Sequence, residues 1–108
     1  MAKATNIQQI FDAMPGRFSA EKAGDLSAVI QFNLTGEGGG QYYATIGNGQ
    51  CQVTQGAAAN PTLTMSAAAA DYLAIINREL DAMQAFMLGK VKIKGDISVA
   101  MKLQSLFQ

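Results

Sequence analysis

The fold is decided by the stretch at residues 85–96, which reads AFMLGKVKIKGD. Gly89 follows a short run with helical spacing, and glycine is the residue that most often stands just after the end of a helix. In residues 90–94, two apolar side chains alternate with three lysines, a pattern typical of a strand with one buried and one wet face. Asp96 is a common N-cap and predicts the start of another helix. The stretch therefore predicts a helix, a strand and a second helix in that order.

The segments on either side continue the helical pattern. Apolar residues with helical spacing predict helices over 67–80 and 81–88 before the strand, and over 96–107 after it. At the other end of the chain, apolar residues at i, i+3, i+4 and i+7 predict a helix over 5–14. Pro15-Gly16 is expected to end that first helix.

Between these helices the apolar period changes from 3.6 to two. Alternation over 26–35, 41–46, 50–54 and 62–66 predicts four strands, each with one apolar face. Because the turns between them are short and rich in glycine, the four strands are expected to form an antiparallel meander. The order of helix, four strands, two helices, strand and helix predicts an α+β domain whose helices cover one face of the sheet.

Composition excludes several classes of protein. The 108 residues suit one core, so residues 1–108 are expected to form a single domain. Eight basic residues balance eight acidic ones, which argues against a nucleic-acid binder. The chain has no histidine and one cysteine, which excludes histidine-based triads, zinc fingers and an internal disulfide. No metal or cofactor is expected.

Targeting and membrane-spanning patterns are not apparent in the sequence. No apolar run approaches the roughly 20 residues that a membrane-spanning helix needs. The first residues lack the uninterrupted apolar segment of a secretory signal. A cytoplasmic location is therefore the expectation.

The last helix carries more apolar surface than a sheet can cover. Its apolar residues span an arc roughly twice the 100° or so that packing on one sheet requires. Four methionines of the second half, Met65, Met83, Met87 and Met101, lie on faces predicted to look inward. Flexible thioethers fill gaps in ordinary cores, but they also suit pockets that adapt to a ligand. A ligand, a partner chain or a membrane is expected to cover the excess.

Other candidate residues have simpler explanations. Lys90, Lys92 and Lys94 could meet an anionic group, but lysines on an edge strand also prevent sheet-to-sheet pairing. Asp71 and Tyr72 could in principle transfer a proton, although Asp71 lies at a polar position near the start of its helix. Cys51 points to the apolar face of the sheet without a base partner and is expected to be a small core residue.

The C-terminal stretch resembles that of the sterol carrier protein family. The resemblance rests on residues 85–96 together with Ala100-Met101-Lys102-Leu103, and Pro61-Thr62-Leu63-Thr64-Met65-Ser66 is similar to the last meander strand of the family. The rest of the chain is compatible with it. The sequence departs from the family pattern in the alanine run 67–70, at Asn77-Arg78, and where tyrosine replaces a frequent tryptophan in the second strand.

The resemblance implies a curved, mainly antiparallel five-stranded sheet with helices over one face and an apolar tunnel between them. It implies non-catalytic binding of a fatty acid, a fatty acyl-CoA, a sterol or a phospholipid. By position, the expected tunnel residues are Ile30, Phe32, Ile46 and Met65 from the sheet, Leu73, Ile76, Met83, Phe86 and Met87 from the middle helices, and Met101, Leu103, Leu106 and Phe107 from the last helix. Arg17, Lys90 and Lys92 are the candidates for contact with a polar head group.

Three functional hypotheses remain open at this point. The first is a lipid carrier, acting as a monomer or weak dimer with transient contact to a membrane surface and no nucleic-acid partner. The second is a structural or protein-interaction module of the same fold, whose apolar surface is covered by a partner chain or a second copy. The third is a small enzyme that acts on a lipid-like ketone or thioester through Asp71 or Tyr72.

Overall fold

The computed structural model describes residues 5–106, except for the side chains of Ala82 and of residues 103–106. Five helices and five strands follow one another along this part of the chain. They are α1 (Ile7–Arg17), α2 (Ala20–Ala23), β1 (Ala28–Thr35), β2 (Gly40–Gly47), β3 (Gln50–Gln55), β4 (Leu63–Ala68), α3 (Ala69–Ile76), α4 (Ala82–Met87), β5 (Val91–Gly95) and α5 (Ile97–Leu106).

The strands form one open sheet in the order β3-β2-β1-β4-β5. All neighbouring pairs are antiparallel except β1 and β4, which run parallel. The register places Ile30 opposite both Ala44 and Leu63, and Phe32 opposite both Tyr42 and Met65. The apolar residues of neighbouring strands therefore share one face of the sheet, as the alternation in the sequence predicts.

The prediction of a four-stranded meander is wrong at β4. Instead of pairing with β3, β4 crosses to the far side of β1 and pairs with it in parallel. The alternation of side chains determines which face of a strand is apolar, but it does not determine which strand lies beside it. The connection from Gly56 to Thr62 is long enough to pass across the outer face of the sheet.

A buried glutamine holds this crossover in place. The Gln31 side chain accepts a hydrogen bond from the Ala58 backbone N–H at 2.7 Å and donates one to the Gly56 carbonyl at 3.2 Å. Gln31 lies on the polar face of β1, yet it is only 4% exposed because the loop covers it. Its amide thus satisfies backbone groups that the loop would otherwise leave unpaired.

Two helices end at other residues than the sequence predicts, and one short helix is additional. The first helix continues through Pro15 to Arg17, since the fixed φ of proline is itself helical and only one hydrogen bond is lost in the last turn. The short helix α2 follows, with the Ser19 hydroxyl accepting from the Lys22 N–H. The helix predicted over 67–80 ends at Ile76, where Asn77 leaves the helical conformation and Arg78 has a φ of +62°.

The helices lie on the apolar face of the sheet. Phe11 of α1 and Tyr72 of α3 contact Phe32 of the sheet, which places both helices on its side. Farther along the sheet, α4 contacts β5 and α5 contacts both β4 and β5. The structure confirms the predicted α+β class and the five-stranded, mainly antiparallel sheet. Across the described residues 5–106, no helix has both the length and the apolar character needed to span a bilayer.

Candidate functional site

The interior between sheet and helices divides into two regions that are packed differently. We call the first the closed half; it consists of α1, β1, β2 and β3. We call the second the open half; it consists of β4, α3, α4, β5 and α5. The two regions share the same sheet, but they bury side chains of different size.

The closed half is filled by large side chains in close contact. The Phe11 ring stacks on Tyr42 with ring centres 4.2 Å apart and meets Phe32 at 5.2 Å. The Tyr42 hydroxyl donates a hydrogen bond to the Gln8 side chain at 2.9 Å. Four of the five largest fully buried side chains, Phe11, Phe32, Ile30 and Ile46, belong to this half. It therefore has the dense packing of an ordinary core.

The open half buries small side chains and leaves larger ones partly uncovered. Among its residues whose side chains are described, which leave out 103–106 of α5, those buried besides Leu63 and Tyr72 are alanines and valines: Ala67, Ala69, Ala85, Val91 and Val99. Six larger aliphatic residues on or next to these elements are only partly buried, namely Met65, Leu73, Ile75, Ile76, Leu80 and Ile93. A closed core has the opposite arrangement, because burying the largest apolar side chains gains most free energy. The open half therefore leaves several large apolar side chains partly uncovered.

The predicted tunnel residues fall into four sets in the structure. Ile30, Phe32 and Ile46 are completely buried in the closed half. Met65, Leu73 and Ile76 are partly buried in the open half. Met83, Phe86, Met87 and Met101 are exposed, at 57%, 44%, 79% and 72%. Leu103, Leu106 and Phe107 lie outside the residues whose side chains are described.

The predicted inward orientation of the methionines is correct for one of the four and wrong for three. Met65 faces the helices from β4, opposite Ile93 of β5. Met83, Met87 and Met101 face outward, because alanine and valine occupy the packed positions of α4 and α5. Phe86, also in α4, is exposed as well. The part these exposed residues play in ligand binding stays a prediction.

Sequence reasoning missed two features of the open half. Ile93 is partly buried beside Met65, and the alternation of 90–94 was the signal that could have added it to the site. The buried alanines Ala67, Ala69 and Ala85 were missed because small side chains carry little hydropathic weight. The run of alanines at 67–70 was a visible signal for Ala67 and Ala69, and Ala85 had none.

The three head-group candidates do not lie on one element. Arg17 is exposed at the C-terminal end of α1, which contacts α3. Burial raises the pKa of Tyr72 on α3, and the nearby Arg17 guanidinium opposes that rise. Lys90 and Lys92 are exposed at the edge strand β5. Arg17 is thus the candidate beside the interior, and the lysines lie at the margin of the sheet.

Two open clefts lie outside the predicted tunnel. One, of about 230 Å³, runs between α1 and β3, and its lining includes Gln8, Asp12, Pro15, Val53 and Gln55. The other, of about 200 Å³, lies on the outer face of the β2–β3 hairpin and is lined by Thr45, Asn48, Gln50 and other polar positions. Neither is lined by a predicted tunnel residue, so neither is the tunnel.

The polar residues of the interior offer little catalytic chemistry. Burial raises the pKa of Cys51 to about 11, so the thiol stays protonated near neutral pH, and its predicted place in the core is confirmed. The buried Tyr72 phenol also keeps its proton, and Asp71 is half-buried at the start of α3. Among the residues that the structure describes, no three acidic or cysteine side chains are grouped to hold a metal ion.

Comparison with known proteins covers almost the whole chain. Residues 3–108 match the model of the SCP-2 sterol transfer family. Hydroxysteroid dehydrogenase-like protein 2 of Rattus norvegicus is 33% identical over 101 residues, which are 93% of this chain and 19% of the relative. This chain spans about a quarter or less of the length of the curated relatives it matches.

Solved structures agree with the observed topology. The solution structure of a palmitated sterol carrier protein 2-like 2 from Aedes aegypti is 28% identical, with a TM-score of 0.75, and the match covers 92% of this chain and 91% of that one. The sec-alkylsulfatase Pisa1 from Pseudomonas sp. shares the fold alone, at 21% identity and a TM-score of 0.83 over 97% of this chain and 17% of that one. The match of the family model to residues 3–108 confirms the resemblance seen in the C-terminal stretch: the chain belongs to the SCP-2 sterol transfer family, a family of lipid-binding and lipid-transfer domains.

Proposed function

We propose that this chain is a non-catalytic carrier that binds a fatty acyl chain between the sheet and the helices of the open half. The observation that supports this most directly is the size distribution of the buried residues. Of the described side chains of the open half, five of the seven buried ones are alanine or valine, while Met65, Leu73 and Ile76 stay partly uncovered around them. An apolar ligand would cover these side chains and complete the core.

The energetics of an acyl ligand are sufficient for useful affinity. Burying about 14 methylene groups at about 0.8 kcal/mol each contributes about 11 kcal/mol before the costs of association. After those costs, dissociation constants from micromolar to high nanomolar are expected. The palmitated relative supports an acyl chain over a sterol as the ligand, and it is 28% identical to this chain.

Arg17 is the residue we propose for the polar end of the ligand. It is exposed at the end of α1, and its charge lowers the pKa of Tyr72, a buried residue of α3, against the rise that burial causes. Arg17 therefore lies at the border between solvent and the interior. A guanidinium at such a border suits a carboxylate head group. Arg17→Gln is therefore expected to weaken fatty-acid binding several-fold, measured by fluorescent fatty-acid titration, with the exposed Lys22→Gln as its control. Equal affinities of the two variants would remove Arg17 from the site.

A matched pair of alanine substitutions tests the location of the site. Ala44 and Ala67 both lie buried on the helix-facing side of the sheet, Ala44 in the closed half and Ala67 in the open half. Ala44→Leu overpacks a dense core and is expected to destabilise the fold by about 1–3 kcal/mol. Ala67→Leu takes space that we assign to the ligand, so it should cost less stability and lower fatty-acid affinity at least ten-fold.

The experiment combines native mass spectrometry with urea unfolding of the two variants and the wild type. Released small molecules are identified after organic extraction of freshly purified protein. The proposal requires a stoichiometric lipid adduct on the wild type that Ala67→Leu lacks. A wild type that carries no lipid and fails to take up fluorescent fatty acid would contradict it, and a tight dimer in that case would favour the protein-interaction module.

A further inference from the structure

Two of the three tyrosines are buried, and their hydroxyl groups differ in what they bind. Tyr42 of β2 is 6% exposed, and its hydroxyl donates a hydrogen bond to the Gln8 side chain at 2.9 Å. Tyr72 of α3 is 5% exposed, and within the described residues 5–106 its hydroxyl has no hydrogen-bond partner. A buried tyrosine hydroxyl usually has one, because leaving it unpaired costs free energy. The Tyr72 hydroxyl is therefore a donor that this part of the protein does not use.

The Tyr72 hydroxyl lies at a place that a small polar group can reach. In the described part of the chain, every fully enclosed side-chain oxygen or nitrogen has a hydrogen-bond partner. Since the Tyr72 oxygen has none there, the little surface that this residue exposes includes its oxygen. The ring itself is held by packing, because it stacks on Phe11 and meets Phe32, both with ring centres 5.9 Å away. The hydroxyl is thus fixed in position at a small opening.

Tyr72 also lies close to the residues that we assign to the ligand. Ile76 follows one turn later on the same face of α3 and is partly uncovered in the open half. Burial raises the pKa of Tyr72, and the Arg17 guanidinium is near enough for its charge to oppose that rise. The helix α1, which carries Arg17 in its last turn, contacts α3. The hydroxyl therefore has apolar residues of the ligand region on its own helix and a positive charge nearby.

A carboxylate is the group that this arrangement suits best. It accepts hydrogen bonds and donates none, and a bond from a hydroxyl to an ionised oxygen is short and strong. Because it is negative, it also gains from the charge of Arg17, as an uncharged acceptor would not. We propose that the Tyr72 hydroxyl donates a hydrogen bond to the carboxylate of a bound free fatty acid and thereby favours the free acid over uncharged lipids. This assignment rests on the proposed carrier function and names the ligand class within it.

Two probes that differ only at the polar end test this contact. A pyrene-labelled fatty acid and the matching pyrene-labelled alkane, which lacks the carboxylate, are titrated into the full chain. Tyr72→Phe keeps the ring and removes the hydroxyl, so it should lower affinity for the acid roughly ten-fold or more and leave affinity for the alkane unchanged. Tyr42→Phe is the matched control, because the Tyr42 hydroxyl is already bonded to Gln8, and both affinities should equal those of the wild type.

Urea unfolding of the delipidated proteins gives an independent readout. Tyr72→Phe removes a hydroxyl that has no partner in the described part of the chain, so the unfolding midpoint should not fall. Tyr42→Phe breaks the hydrogen bond to Gln8 and should lower the midpoint. A lower midpoint for Tyr72→Phe would show that the protein itself bonds this hydroxyl, and it would overturn the proposal.

The binding outcomes separate this contact from the carrier function. Equal affinity of the wild type and Tyr72→Phe for the acid would mean that water alone meets the hydroxyl, and the contact would be refuted. Equal losses for the acid and the alkane would refute it too, since the hydroxyl would then act through packing. In both cases a carrier would remain. A wild type that binds neither probe would refute the carrier function and, with it, the contact.

Discussion

The closed and open halves of this domain are built on one sheet, yet they use apolar residues in opposite ways. In the closed half, the Phe11 ring stacks on Tyr42 at 4.2 Å and meets the tilted Phe32 ring at 5.2 Å, so large side chains fill the interior. Among the described side chains of the open half, most of the buried ones are alanine or valine, and Met65, Leu73 and Ile76 are only partly buried. The difference indicates that the close packing of the closed half contributes most to stability. The open half leaves apolar surface partly uncovered.

The largest expected effect comes from a matched pair of phenylalanines. Phe11→Ala in the closed half removes three ring contacts and leaves a cavity, so it should lower the free energy of unfolding by about 3–5 kcal/mol. Phe86→Ala in the open half removes a ring that is 44% exposed and should cost less than about 1 kcal/mol. Urea unfolding of both variants measures the difference, and similar losses would abolish the contrast between the halves.

A smaller effect is expected at the link between the two halves. Gln31→Leu leaves the Ala58 N–H and the Gly56 carbonyl without their side-chain partner, so the fold should lose about 1–3 kcal/mol. Gln52→Leu, an exposed residue of β3, serves as the control and should change stability by less than about 0.5 kcal/mol. Faster hydrogen exchange at Ala58 in the Gln31 variant would place the loss at the crossover. A Gln31 variant as stable as its control would show that the loop holds without it.

The smallest effect is a dependence of stability on alkaline pH. The Cys51 thiol has its pKa raised from an ordinary 9.0 to about 11 by burial in the closed half. The unfolded chain therefore releases the thiol proton at lower pH than the folded protein. The contribution of Cys51 to the free energy of unfolding is then complete below about pH 9 and is lost as pH rises toward 11. Cys51→Ala should reduce this loss by on the order of 1 kcal/mol.

The wild type and Cys51→Ala are compared by thermal or urea unfolding between neutral pH and pH 11. This range is chosen because burial raises the pKa of the Cys51 thiol to about 11. The buried Tyr72 contributes in the same direction in both proteins, because burial also raises its pKa. Identical pH profiles for the two proteins would mean that the pKa of Cys51 is not raised. The closed half would then not shield the thiol from solvent as the dense packing implies.

Much of the local structure follows from the sequence because local patterns determine it. The stretch 85–96 predicts α4, β5 and the start of α5, and Asp96 accepts from the Ser98 N–H at 3.0 Å as a helix cap does. The apolar faces of the strands also follow from the period of two, since successive side chains must point to opposite sides.

The pairing of β4 and the orientation of α4 do not follow from the sequence. Parallel pairing of β1 and β4 depends on a loop that crosses the sheet and on the buried Gln31, which alternation alone does not reveal. Ranking residues by hydrophobicity places Met83 and Met87 on the buried face of α4, whereas Ala85 is the residue that is buried there. Hydropathy gives the preference of a side chain for an apolar environment. The contact between α4 and β5 determines which side chains of α4 are covered.

Amide hydrogen exchange with and without palmitate tests the central claim most directly. If the open half receives the ligand, palmitate should slow exchange in α3, α4, α5 and in the strands β4 and β5. Apart from the last turn of α1 at Arg17, it should leave α1 and β1–β3 nearly unchanged. Without ligand, the open half should also exchange faster than the closed half. Protection confined to the closed half, or no protection at saturating palmitate, would contradict the account.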